Sequence, residues 1–147
     1  MKAEYDLVET ANQTGNFRIL LQAFDAAGLK DILKETGPYT ILAPVDDAFI
    51  KLPQTKLHDL FRSENRDSLR SLLKQHIIAG NLPSRELKRH DEVTSMDGEK
   101  LRIESRAGLW ANEAQVITPD LKASNGVLHG IDTVLMHESQ AAAALKV

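Results

Sequence analysis

Residues 39–53 read Tyr-Thr-Ile-Leu-Ala-Pro-Val-Asp-Asp-Ala-Phe-Ile-Lys-Leu-Pro. A short apolar run meets a proline and then two adjacent acids. Tyr39 to Ala43 is bounded by turn formers, which predicts a strand buried on both faces. Pro44 has no N–H to give to a ladder and suits the end of that strand. Asp46 stands where a new helix exposes its first backbone N–H groups, and a carboxylate there accepts from them. Asp47 favours the positive end of the helix dipole. Phe49 and Leu52 then pack the new helix onto the core. In this reading both acids are structural. The competing readings are a hydrolase that uses Asp46 and Asp47, or the Ser124 and His129 region, and a cytosolic binder of a small ligand. Neighbouring side chains rarely converge on one atom, because they point to opposite faces of a strand and about 100° apart on a helix.

The chain has 147 residues, enough for one domain, and a domain of that size buries roughly 70% of its unfolded surface. With 42% hydrophobic and 27% charged residues it has globular rather than disordered composition. There is no cysteine, so no disulfide forms and the cellular compartment stays open. The formal net charge is −3, and cations alternate with acids, as in Arg62-Ser63-Glu64-Asn65-Arg66-Asp67. Without a basic stripe, nucleic acid is not an expected partner. Apolar stretches fall far short of the ~20 residues that span a bilayer. No charged segment followed by an apolar one opens the chain as a signal peptide would.

Outward from the quoted stretch, the first half has helical spacing. Leu7, Val8 and Ala11 line a short segment that stops near Gly15. Asn16 is placed to cap a second helix carrying Phe17, Leu20, Leu21 and Phe24, and Gly28 ends it. Leu29, Ile32 and Leu33 predict another turn or two before Gly37-Pro38. Short helices are expected near 46–51 and 55–61. A longer one is expected over about 65–76, with Leu69, Leu72 and Leu73 inward. Beyond residue 77 the period changes. Ile77-Ile78 leads to Gly80-Asn81, and Pro83-Ser84 opens a single turn. Asp97-Gly98 is a hairpin signal, followed by Leu101 and Ile103 alternating with Arg102 and Glu104. Ala107-Gly108 turns into a strand at Leu109-Trp110, and Val116-Ile117 and Val127 to Met136 complete the run. Helices first and an antiparallel meander afterwards predict an α+β domain over residues 1–137. The Ala-rich tail, 138–147, reads as a frayed helix or an appended segment.

The second informative stretch is Ala123-Ser124-Asn125-Gly126-Val127-Leu128-His129-Gly130-Ile131-Asp132. Strand parity puts His129 with Val127 and Ile131, and Asp132 with Leu128 and Val134, so imidazole and carboxylate do not meet. Ser124 lacks a G-x-S-x-G elbow. Asn125-Gly126 reads as a turn that admits positive φ. His129 and Asp132 then become buried polar groups that require hydrogen-bond partners. His76 follows a leucine stripe, as a core or C-cap histidine does. The spacing of His58, His90 and His137 suggests no metal site, and neither a cofactor nor a catalytic residue is expected.

Two stretches together resemble the fasciclin domain family. Thr40-Ile41-Leu42-Ala43-Pro44-Val45-Asp46-Asp47-Ala48-Phe49 is similar to its first signature, and Asn125-Gly126-Val127-Leu128-His129-Gly130-Ile131-Asp132-Thr133-Val134-Leu135 to its second. Leu72 to Gly80 is similar to the family's central segment, and the likeness covers about residues 5–136. The resemblance implies a wedge-like β-sandwich with helices along one edge. It also implies an exported module, periplasmic, secreted or at the cell surface, that acts in adhesion through a protein or polysaccharide partner. A monomer is expected. Signature residues carried over on the family's motifs are Thr40, Pro44, Asp46, Phe49, Asn125, Gly126, His129 and Asp132. Partner contact is implied for Asp120-Leu121, which match the Asp-Ile of adhesive members, and for His76. Read from the residues alone, Pro119-Asp120 is a surface turn and Leu121 a core residue. The chain departs from the family twice. Val45 stands where a hydroxyl is usual, so that Asp46 is expected to take over the cap one residue later, and Gln75 stands where tyrosine often precedes the histidine.

Overall fold

The computed structural model describes residues 6–34, 38–51, 55, 58–59, 61–62, 65–105, 108–112 and 114–135. Helix α1, Leu7–Thr14, begins with a capping box: the Glu9 amide donates to Asp6 Oδ1 at 2.8 Å, and the Glu9 carboxylate accepts from the Asp6 amide. Helix α2, Arg18–Ala27, ends at Gly28, whose φ of 71° is the left-handed stop that glycine permits. A 3₁₀ turn at Ile32–Lys34 leads to strand β1, Tyr39–Pro44. Helices α3, Asp46–Ile50, and α4, Arg66–Gln75, precede β2, Ile77–Ala79, and the single turn α5, Ser84–Leu87. Strands β3, Glu92–Thr94, β4, Lys100–Ser105, β5, Leu109–Ala111, β6, Ala114–Ala123, and β7, Gly126–Ile131, follow. Of the helix expected at 55–61, residues 55, 58 and 59 are helical while 56, 57 and 60 lie outside the described residues, as does the whole tail 138–147.

The α+β class and the wedge hold. The strands form one seven-stranded order, β2-β1-β7-β6-β5-β4-β3. One pairing departs from the expected meander: β1 lies parallel to β7, with Leu42 opposite His129 and Pro44 opposite Ile131. First and last strands become neighbours, so the chain between them must wrap the core. The two ends of the order approach each other, because the Met96 amide at the β3–β4 turn donates to the Ile77 carbonyl of β2 at 2.8 Å. That contact covers sheet edges that would otherwise pair with other chains.

Two apolar clusters lie on either side of β1. Ile41 and Ala43 join Phe17, Leu20, Phe24, Phe49, Leu69 and Leu73 beneath the helices, while Leu42 joins Leu87, Leu101, Ile103 and Ile131 inside the wedge. Alternation along a strand buried on both faces produces this division. The expected turn lies at Ser124-Asn125, and Gly126 after it has a φ of 159°; a second constraint acts on it as well. A Cβ built on it would overlap the Tyr39 carbonyl oxygen, so close approach of β1 excludes a side chain.

Candidate functional site

The candidate residues cluster where the two signature strands meet the helix ends, and their polar atoms are occupied by main chain. Asp46 does cap a helix, but not its own. Its Oδ1 accepts from the Ile19 amide, 27 positions away in the first turn of α2, at 2.9 Å, and its own amide donates to the Asn16 carbonyl at 2.8 Å. Asn16 therefore does not cap α2 through its side chain, as its spacing suggested. Phe17 occupies the cap position of α2 without a side-chain bond, and Val45 that of α3. The start of α3 is not shifted either, since Asp46 is its first helical residue. Asp47 beside it is exposed.

Asn125 repeats the arrangement. Its Oδ1 accepts from the Leu7 amide at the start of α1 at 3.0 Å, and its Nδ2 donates to the Leu33 carbonyl at 2.7 Å. Asp120 is the third such acceptor. Its carboxylate takes the Ser84 amide at 2.8 Å and the Ser84 hydroxyl at 2.5 Å, at the opening of α5. Three acceptors thus satisfy N-terminal amides of three helices from distant points in the chain. The signal available in sequence was a deficit. Phe17 and Pro83 precede α2 and α5, and neither side chain can accept a hydrogen bond.

Both buried histidines are bonded at each ring nitrogen. The Asp120 amide donates to His129 Nδ1 at 3.1 Å, so Nε2 carries the proton and donates to the Leu82 carbonyl at 2.8 Å. The Leu135 amide donates to His76 Nε2 at 2.9 Å, and Nδ1–H donates to the Leu72 carbonyl at 2.8 Å. Burial lowers the His76 pKa to about 4, although the Leu72 bond acts the other way. Burial also lowers His129, opposed by the Leu82 carbonyl and the Asp120 charge. Partial burial pushes the Asp120 carboxyl up, but the Ser84 bonds and the nearby His129 and Lys122 outweigh it and leave the carboxyl below its ordinary value.

His129 and Asp132 do not meet, as parity required. Asp132 Oδ1 accepts instead from the Gln115 amide at 2.9 Å. Ser124 is exposed on the turn while His129 is fully buried five positions on. Thr40 is buried with its hydroxyl donating to the Gly80 carbonyl and accepting from the Leu82 amide. Of the residues implied to touch a partner, His76 is 1% exposed and Leu121 is half-buried against the helix-side core, while Asp120 is exposed at a φ of 60°. Beside it opens a cavity of about 330 Å³ lined by Ser84, Lys88, Ser105, Leu109, Val116 and Pro119. Its side-chain polar groups are one ammonium and two hydroxyls; the carboxylate that takes the Ser84 hydroxyl is Asp120, which also takes the Ser84 amide at the opening of α5. Among the described residues no group of three His, Asp or Glu side chains is gathered to hold a metal. Among them, too, no helix is long and apolar enough to cross a membrane.

The fasciclin domain profile matches residues 15–137. The chain belongs to the fasciclin domain family. Its relatives include the uncharacterized protein sll1735 of Synechocystis, 37% identical over 89% of this chain and 97% of that protein. They also include the cell surface glycolipoprotein MPB83 of Mycobacterium bovis, 34% identical over 71% of this chain and 46% of that protein. A third is the transforming growth factor-beta-induced protein ig-h3 of Sus scrofa, 35% identical, of which this chain spans 17%. In structure the fasciclin domain resembles a FAS1 domain pair of the insect cell adhesion molecule fasciclin I. The TM-score is 0.84 at 17% identity, over 94% of this chain and 53% of the pair.

Proposed function

We propose that this fasciclin domain is a non-enzymatic binding module that works outside the cytoplasm or at a cell surface and contacts a protein or polysaccharide partner. One observation carries the reading. The residues with chemistry to offer, Asp46, Asp120, Asn125, His76, His129 and Asp132, each accept a hydrogen bond from a main-chain amide. An enzyme instead needs convergent groups of shifted pKa left open to substrate. The name of one relative, a cell surface glycolipoprotein, supports the same placement. A pull-down of envelope and matrix fractions with the folded domain tests it. Recovery of a saturable partner is the expected result; a folded domain that retains nothing from any fraction overturns it.

Asp120-Leu121 is the proposed contact of the resemblance. Its carboxylate is engaged with Ser84, so a partner reaching it would have to displace that bond or touch the turn from outside. Asp120→Ala in the same pull-down decides the point. Undiminished recovery assigns the contact elsewhere on the domain.

A further inference from the structure

The outer face of β4, β5 and β6 has a different chemistry from the signature region. Register places Glu104 of β4, Trp110 of β5 and Gln115 of β6 directly opposite one another, so the three share one face. The opposite face of these strands is core, with Leu101, Ile103, Leu109, Ala111 and Ala114 buried. Trp110, the sole tryptophan, is half-buried among polar neighbours instead of lying with that core. Ile117 on β6 is 49% exposed.

We propose that this face binds an uncharged polysaccharide, with the Trp110 ring as the platform. The inference rests on the binding-module reading and names its site and ligand class. Charge argues for a neutral ligand. Arg102 lies 3.8 Å from Glu104, and Lys100 lies 3.7 Å from Glu92, so among the described residues these two cations of the face are matched by its own carboxylates. A face balanced in this way exerts little pull on a charged polymer. Its apolar content argues against a protein partner. Protein interfaces bury roughly 800 Å² a side around a core depleted in charge, whereas this face offers an indole and one isoleucine amid paired charges. A sugar ring asks for that mixture: an apolar C–H face that stacks on an indole, and hydroxyls that bond to amide, carboxylate and guanidinium. Three strands about 4.8 Å apart make a rigid platform roughly 10 Å wide, so little entropy is lost in arranging it.

Trp110 alone supplies the indole fluorescence, so the full domain reports its own binding. Titration with cellohexaose and with a neutral laminarin oligosaccharide is expected to shift Trp110 emission saturably for at least one of them, equally at 50 mM and 500 mM NaCl. Polygalacturonate is expected to bind more weakly. Trp110→Ala, followed by calorimetry or affinity electrophoresis, is expected to weaken binding at least tenfold. Ile117→Ser, a change at a solvated position that leaves the core intact, is expected to weaken it severalfold. No binding of either neutral glycan, equal affinity in Ile117→Ser and wild type, or affinity that collapses with salt overturns the proposal. So does self-association of the free domain that Trp110→Ala abolishes, which would make a second copy the occupant. If the envelope pull-down succeeds and Trp110→Ala leaves it undiminished, the module reading survives and the face is wrong. If neither assay detects binding, both fall.

Discussion

Two polar regions of this domain are built on opposite terms. Around β1 and β7 the polar side chains are enclosed and each is bonded to main chain: His76 and His129 at both nitrogens, Asn125 to two segments, Asp46 to a helix elsewhere in the chain. On the outer face of β4 to β6, Arg102 and Glu104 pair with each other beside one indole. The first arrangement holds the parallel first and last strands against the helices. The second joins side chain to side chain at the surface, Arg102 with Glu104 and Lys100 with Glu92. Identity of residue type therefore says little about role here: the enclosed groups bond main chain, whereas the ion pairs of the outer face join side chains at the surface.

The largest effect expected from breaking this comparison is at His129. His129→Leu strips the Asp120 amide and the Leu82 carbonyl of their buried partner, at a cost of roughly 3 kcal/mol, seen as a melting temperature lower by about 10 °C. A change under 2 °C would mean that the histidine is not structural. Acid titration comes next. The His76 pKa is held near 4 against an ordinary 6.5, so as pH falls the unfolded chain takes the proton first. The stability this confers is complete above about pH 6.5 and lost progressively towards pH 4, with about 2 kcal/mol of the loss between pH 7 and 5. His129 adds in the same direction. Urea unfolding at those two pH values checks it, and a flat profile contradicts it. The adjacent acids sharpen the contrast further. Asp46→Ala is expected to cost about 1 kcal/mol as a lost cap, and Asp47→Ala less than about 0.5 kcal/mol as a surface change. The smallest effect belongs to the outer face, where Ile117→Ser should leave stability within about 0.5 kcal/mol of wild type while changing binding.

Much of this was legible in the residues. Tyr39 to Pro44 carried its strand in its boundaries, and parity alone separated His129 from Asp132. Gly15 and Gly28 marked the ends of α1 and α2. Long-range partnerships were not legible. Nothing local to Asp46 points to Ile19, and nothing local to Asn125 points to Leu7, because those pairs exist only once β1 lies beside β7. The parallel pairing itself escaped for the same reason, since strand order depends on which faces bury each other and not on the order of synthesis. At Gly126 local reasoning found the turn but not the second constraint, the neighbouring carbonyl of Tyr39.

Amide hydrogen exchange by NMR, comparing wild type with Asp46→Ala, tests the central claim most directly. If the carboxyl of Asp46 serves the backbone of α2, the Ile19 amide should lose protection by about tenfold, the equivalent of a 1.4 kcal/mol bond, while the Phe49 amide in α3 keeps its own. Unchanged protection at Ile19, or loss confined to α3, would contradict the account and return Asp46 to the list of groups available for ligand chemistry.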